Sequence, residues 1–222
     1  MKPRLLDLFC GAGGAAVGYA RAGFDVVGVD IAPQPRYPFE FHQADAMTYP
    51  LGGFDVVHAS PPCQVFTQAS AKHRGRGGLA DQRVDLLTPT RARFSDLRVP
   101  WVIENVVGAR RAMRPSLLLH GGMFGLGTHR PRLFESNLLL IAPQAARGPQ
   151  GLGIYGRSPD GRTLNFASGQ RAARSLEEGS AAMGIDWMIW DELREAIPPA
   201  YTEFIGAQLI RAREAQRKAG AA

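Results

Sequence analysis

In the stretch ASPPCQVFT, Cys63 follows two prolines at the end of an apolar run. Pro61 and Pro62 fix their own φ angles and remove two backbone donors, so the thiol is carried on a stiffened turn. A nucleophile needs that stiffness, but half of a disulfide, a metal ligand or an inert packing residue fits such a turn equally well. Near the N-terminus, GAGGAA satisfies the spacing G-x-G-x-x-A from Gly11 to Ala16, which allows a dinucleotide-type site. Glycines belong there because the backbone must approach a ligand and adopt φ values closed to other residues. Asp30 ends the next apolar run, where one carboxylate can accept from both hydroxyls of a ribose. NAD, FAD and S-adenosylmethionine all carry that diol, so the pattern leaves the nucleoside-bearing cofactor open. Asp45, in HQADAMTY, stands where a carboxylate can accept from the amino group of an adenine ring. A lone loop aspartate also serves as a cap or a solvated residue.

These residues need elements to position them. RLLDLFCGAGGAAVGYARAGFDVVGVDI reads as strand, glycine turn, helix and strand, a βαβ unit with the acid at the carboxyl end of its second strand. FDVVHASPP and PWVIENVVG repeat the pattern of an apolar run closed by polar residues. Alternating strands and helical stretches predict an α/β fold with a doubly wound, mostly parallel sheet. Between Gln64 and Val99 the chain turns polar and basic, which predicts a loop leading into a helix near Val84 to Phe94. A second irregular stretch runs from Ile141 to Glu177, and two helices split at Pro198 and Pro199 follow, the last fraying into a basic tail.

Composition narrows the classes. An apolar fraction of 45% with 21% charged residues suits a soluble globular chain, which excludes global disorder. No apolar run approaches the length of a bilayer span, and the N-terminus lacks a signal-peptide layout. Cys10 and Cys63 are the only cysteines, so a disulfide scaffold is not expected and both thiols read as reduced, in a cytoplasmic protein. The net charge of +6 is uneven: residues 63–135 hold +7, whereas residues 1–62 hold −2 and 136–222 hold +1. A basic strip on a polyanion-binding face has this signature, as does a solvated arginine-rich surface.

Taken in order, DLFCGAGG, SPPCQ, VIENV and HRPRLF resemble the cytosine-C5 DNA methyltransferase family. The likeness runs from residue 5 to about 134 and resumes from AMGIDWM to IGAQL. It implies a Rossmann-like fold that binds S-adenosyl-L-methionine through Phe9, Gly11, Gly13, Asp30, Asp45 and Ala46, with Pro62 near the sulfonium. It also implies a reaction. Carbon 5 of cytosine is too poor a nucleophile to attack a methyl sulfonium unaided, and a thiolate adding to carbon 6 turns the ring into a reactive enamine. Cys63 would be that thiolate, although a free thiol with a pKa of about 8.5 is only slightly ionised at neutral pH. Glu104 would hold ring nitrogen 3 and the amino group, which requires a raised carboxyl pKa. Arg132 would hydrogen-bond the exocyclic oxygen, where charge builds up. Arg130 is the other arginine of that catalytic motif, and Asn105 would orient the Pro62–Cys63 turn. The target base must be flipped out of a duplex, and Lys72, His73, Arg74 and Arg76 would close over it.

The chain also departs from the family pattern. Thr128 stands where glutamine usually opens the arginine motif, and the final motif reads GAQL, Gly206 to Leu209, in place of Gly-Asn-Ser-Val. Only about forty residues remain for target recognition, holding Arg147, Arg157, Arg162, Arg171 and Arg174 with Tyr155 and Phe166. Arginine contacts guanine or phosphate, and phosphate carries no sequence information. A short or relaxed recognition sequence is therefore expected, in a compact layout like that of small phage-encoded members. Residues 1–134 are expected to form the catalytic domain, 135–174 a reduced recognition region, and 175–222 a helical segment completing the catalytic domain. The reading is of a monomeric enzyme acting on double-stranded DNA in the cytoplasm of a bacterial or phage-infected cell, without a membrane or a metal. Rival readings are an RNA (tRNA) cytosine methyltransferase and a catalytically weak DNA-binding module. An NAD-dependent oxidoreductase explains the glycine turn but gives PPCQ and IENV no task.

Overall fold

The computed structural model describes residues 1–66, 84–144, 151–155 and 171–219. Among them, seven strands form one sheet in the order β3-β2-β1-β4-β5-β7-β6. The strands are β1 (Arg4–Leu8), β2 (Asp25–Asp30), β3 (Glu40–Gln43), β4 (Val56–Ala59), β5 (Trp101–Val106), β6 (Leu117–Leu119) and β7 (Arg132–Ser136). The first five run parallel, and β7 pairs antiparallel with both β5 and β6. The sheet is thus doubly wound and mostly parallel, as the alternating pattern predicts. The chain leaves β1 toward β2 and β3 on one side and returns to β4 and β5 on the other. That reversal opens a crevice at the carboxyl ends of β1 and β4, where the glycine turn and the Cys63 turn both emerge.

Both sheet faces are covered because the central strands are apolar on both sides, whereas the edge strand β3 is largely exposed. On one face Leu5, Val26, Val56, Val102 and Phe134 pack against α1 (Gly14–Ala22) and α5 (Pro199–Ala219). On the other, Leu6, Leu8, Val57, Ile103 and Leu133 meet Leu87 and Phe94 of α2 (Leu87–Phe94). Small residues let α1 and α5 lie close: a Cβ at Gly18 would collide with Thr202 Oγ1 and the Pro199 carbonyl. A third cluster gathers Ile154, Ala173, Met183, Met188, Trp190 and Leu193 around α3 (Leu176–Met183) and α4 (Trp190–Leu193).

Several local features differ from the sequence expectation, each with a cause. Helix α2 begins three residues late, because Asp85 accepts from Leu87 N at 2.8 Å and Thr88 Oγ1 at 2.8 Å, capping it there. The second proline starts α5 instead of merely splitting two helices, since its missing N–H costs nothing at the first helical position. The alanine-rich tail stays helical to Ala219. Helix α3 lies within the segment expected to be helical but starts inside the stretch read as irregular to Glu177, where the Ser175 side chain accepts from Glu178 N at 3.1 Å and caps it. Among the described residues no helix is long and apolar enough to cross a membrane.

Candidate active site

The site is assembled where β4 and β5 end side by side. Beyond β4 the chain enters the Pro61–Pro62 turn, and Asn105 Nδ2, fully buried near the end of β5, donates to the Pro61 carbonyl at 3.0 Å. Asn105 Oδ1 in turn accepts from Val106 N at 3.0 Å. Cys63 caps the turn that follows, its carbonyl accepting from Phe66 N at 2.9 Å. Proline stiffness and one buried amide bond therefore place the thiol together. Burial pushes the thiol above its ordinary pKa, the Glu104 carboxylate pushes the same way, and Arg132 opposes both. The surroundings of Cys63 thus favour the thiol over the thiolate.

Glu104 lies on the β5 face that meets α1 and α5, almost wholly buried at 6% exposure. Burial raises its pKa, against lowering by Arg132, His58 and Arg130. Arg132 opens β7, and the antiparallel register sets Phe134 opposite Glu104 and Arg132 opposite Val106. Alternate residues share a sheet face, so the two polar side chains meet: Arg132 Nε lies 3.0 Å from Glu104 Oε1. Cys63, Glu104, Asn105 and Arg132 are thus gathered within one electrostatic neighbourhood.

Arg130 is placed differently. It was grouped with Arg132 as catalytic, yet it is fully buried and its guanidinium is spent on backbone. Nε donates to the Ala196 carbonyl at 2.7 Å, Nη1 to Ile154 at 3.1 Å and Nη2 to Arg194 at 2.7 Å, with the Tyr155 ring 5.5 Å away. Its backbone takes φ 31°, an unusual value for a side-chain-bearing residue. Burial lowers its pKa to about 10. Thr128, standing in the place of the family's glutamine, donates to the Leu152 carbonyl at 2.8 Å. Both residues fasten residues 151–155 to the sheet.

The other half of the crevice belongs to the glycine turn. Phe9, Gly11 and Gly13 all have positive φ, at 56°, 49° and 86°. A Cβ on Gly13 would lie 2.9 Å from Pro38 Cδ, so only glycine fits there. Asp30 Oδ2 accepts from Gly11 N at 3.0 Å and Oδ1 from Ala32 N at 3.0 Å, which pins the turn to the end of β2. Asp45 Oδ1 accepts from Met47 N at 2.8 Å, and the carbonyl of buried Ala46 accepts from Arg93 Nη1 at 2.6 Å. Pro62 is half-buried at the boundary between the two halves.

Sequence reasoning passed over three contributors. Trp187 Nε1 donates to the Ala12 carbonyl at 2.9 Å and ties the glycine turn to the α3–α4 cluster. Asp7 and His58 form a buried pair beneath the site, 2.7 Å apart. Arg110, Arg111 and Arg114 are exposed on the segment after Asn105, without an ion pair among the described residues. Nothing in the local sequence marks the first two, whereas RRAMR is a visible basic run. Lys72, His73, Arg74, Arg76, Arg147, Arg157, Arg162 and Phe166 lie outside the described residues. Among the described residues no group of three or more His, Cys, Asp and Glu is placed to hold a metal.

No protein-family model matches the chain, and no curated protein matches it in sequence. Solved structures do. A protein encoded within an E. coli prophage, described as a DNA modification methyltransferase, aligns over 94% of this chain and 99% of its own, with a TM-score of 0.64 and 15% identity. Schizosaccharomyces pombe Dnmt2 methyltransferase aligns over 96% and 99%, with a TM-score of 0.58 and 14% identity. Spodoptera frugiperda DNMT2, as an E260A/E261A/K263A mutant, aligns over 94% and 99%, with a TM-score of 0.60 and 12% identity. At such identities the likeness is one of fold, a Rossmann-like one.

Proposed function

We propose that the chain is an S-adenosylmethionine-dependent DNA (cytosine-5-)-methyltransferase. The observation that carries this reading is the convergence of Cys63, held by Asn105, with the buried Glu104–Arg132 pair at the crevice beside the glycine turn. The residues around the glycine turn suit that cofactor. Each Asp30 oxygen accepts one backbone N–H and retains a second lone pair for a ribose hydroxyl, and the Gly13 position has no room for a side chain. Asp45 and Ala46 would flank the adenine, and Phe9, Gly11 and Pro62 the remainder. Bound S-adenosylmethionine supplies an electrophilic methyl group.

The chain's own residues do the rest. Cys63 sulfur bonds to carbon 6 of the flipped base as its proton passes to solvent water, and the ring electrons move toward nitrogen 3. Glu104, whose carboxyl burial pushes toward the protonated form, donates there and accepts from the amino group. Arg132 steadies the Glu104 carboxyl and offers its remaining N–H groups to the exocyclic oxygen. After methylation nitrogen 3 returns its proton to Glu104, solvent water takes the proton from carbon 5, and expulsion of Cys63 sulfur restores the aromatic ring. Burial pushes both the thiol and the carboxyl toward their neutral forms in the free site, so the reading has Cys63 ionise as it adds to the base.

Residues 135–174 are the recognition region in this reading, anchored by Thr128 and Arg130, and their small number supports a recognition sequence of one or two bases beside the cytosine. Arg110, Arg111 and Arg114 extend the basic surface beside the site and suit phosphate contacts. The test is incubation of the protein with radiolabelled S-adenosylmethionine and either duplex DNA or tRNA, with Cys63→Ser in parallel. Label on DNA that disappears in Cys63→Ser supports the proposal. Label on tRNA alone points to the RNA substrate, and salt-sensitive binding with no label points to a binding module.

A further inference from the structure

Helix α2 carries two arginines with different partners. Arg91 forks onto the Glu135 carboxylate, Nε at 2.6 Å and Nη2 at 2.7 Å. Arg93 forks instead onto two neutral carbonyls of the turn that holds Asp45. Its Nη1 donates to Ala46 at 2.6 Å and its Nη2 to Tyr49 at 2.7 Å. Ala46 is buried, so the guanidinium supplies a bond that water is poorly placed to replace. Thr90, one turn earlier on α2, reaches the same segment through Met47 Sδ at 3.5 Å.

The peptide unit joining Ala46 to Met47 is held at both ends. Its carbonyl takes the Arg93 bond, and its N–H, that of Met47, donates to Asp45 Oδ1 at 2.8 Å. A peptide unit is planar, so fixing the carbonyl fixes the direction of the N–H and, with it, the carboxylate that the N–H holds. A cation on the carbonyl also polarises the unit and strengthens the N–H as a donor. The end of the turn has its own anchors. Thr48 N and Tyr49 N donate to the Asp45 carbonyl at 3.1 and 3.0 Å. Tyr49 Oη lies 2.9 Å from His42 Nδ1, and His42 Nε2 lies 2.9 Å from Glu40 Oε1 on β3. Losing Arg93 would therefore free the Ala46–Met47 peptide and the Asp45 carboxylate before it freed Tyr49.

Attachment of α2 to the sheet does not need this fork, because Leu87 and Phe94 of the same helix already pack into the core. Asp45 is exposed, and its Oδ2 takes no bond among the described residues. We propose that Arg93 is a positioning residue that sets the base specificity of the cofactor site, orienting through the Ala46–Met47 peptide the Asp45 carboxylate that accepts from the adenine amino group. This rests on the assignment of Asp45 and Ala46 to the adenine of S-adenosylmethionine. Arg93 acts from outside the site: the bonds run from guanidinium to carbonyl, along one peptide, and from N–H to carboxylate.

Calorimetry of the full chain with S-adenosylhomocysteine and with S-inosylhomocysteine tests this. The two ligands differ where adenine carries its amino group, which the inosine form replaces by a carbonyl. The wild type is expected to prefer the adenosine form by about 10- to 100-fold, the range of a charge-assisted hydrogen bond. Arg93→Met is expected to bring that preference to within a few-fold, by weakening S-adenosylhomocysteine and leaving S-inosylhomocysteine nearly unchanged. Arg93→Lys keeps the charge, but one ammonium cannot span the two carbonyls as the fork does. It is expected to lose part of the preference, and it decides the matter where Arg93→Met does not fold. A wild-type preference retained in full by either folded variant overturns the inference. So does an equal loss for both ligands, which would make Arg93 a fastener of the turn and no more, or a wild type that binds both alike. A wild type that binds neither ligand overturns the S-adenosylmethionine reading and this inference with it. Binding with the expected preference but no methyl transfer overturns the proposed reaction alone.

Discussion

Asn105 Nδ2 donates to the Pro61 carbonyl at 3.0 Å, joining residues 44 positions apart. That bond makes the position of Cys63 depend on the strand that carries Glu104, so nucleophile and acid share one rigid support. Asn105→Ala strands a buried carbonyl, with an expected stability loss of about 1–3 kcal/mol. Methyl transfer is expected to fall by about 100-fold through misplacement of the thiol. Cofactor affinity measured by calorimetry should change far less, since Pro62 alone of the expected cofactor residues sits on that turn.

The raised thiol pKa has a chemical signature. Burial and the Glu104 carboxylate both disfavour the thiolate of Cys63, and Arg132 favours it. Alkylation by iodoacetamide is therefore expected to be slow at neutral pH and to rise with pH beyond the ordinary thiol range of about 8.5. Removing the carboxylate in Glu104→Gln lowers the thiol pKa and should speed alkylation. Removing the guanidinium in Arg132→Ala should slow it. Buried Cys10, whose thiol is pushed far up by burial, should remain unmodified in the folded protein.

Arg130 and Arg132 are two residues apart and are expected to fail in different ways. Arg130→Met leaves the Ala196, Ile154 and Arg194 carbonyls without their donor, and urea unfolding should show a loss of roughly 3–5 kcal/mol. Lysine should rescue little, because one ammonium cannot reproduce the guanidinium fork. Arg132→Ala should chiefly reduce turnover, read as a fall in kcat with cofactor affinity retained.

Asp30→Asn keeps an acceptor for Gly11 N but loses charge and lone pairs toward a ribose diol. Affinity for S-adenosylmethionine, measured by calorimetry, is expected to weaken by about 10- to 100-fold, the range of one or two charge-assisted hydrogen bonds.

The exposed arginines make a prediction about salt. Replacing Arg110, Arg111 and Arg114 together by alanine should lower the slope of log affinity for duplex DNA against log salt by up to about 3. Base preference should not change, because phosphate contacts carry no sequence information.

The parallel strands, the glycine turn and the acid that ends β2 were legible in the sequence because each is written in contiguous residues whose apolar runs and turn residues act locally, whereas the antiparallel β6 and β7 were not. The thiol on its proline turn was legible for the same reason, and so was the order of the motifs. Partnerships were not. Arg130 and Arg132 look alike in HRPRLF, and only the antiparallel register of β7 on β5 sends one to Glu104 and the other into the C-terminal segment. Asp7 and His58 are hidden inside apolar runs, and neither signals the other across 51 residues. Hydrophobic pattern determines which residues enter the sheet, but strand order and register determine which buried polar groups meet, and these arise only when the strands are laid side by side.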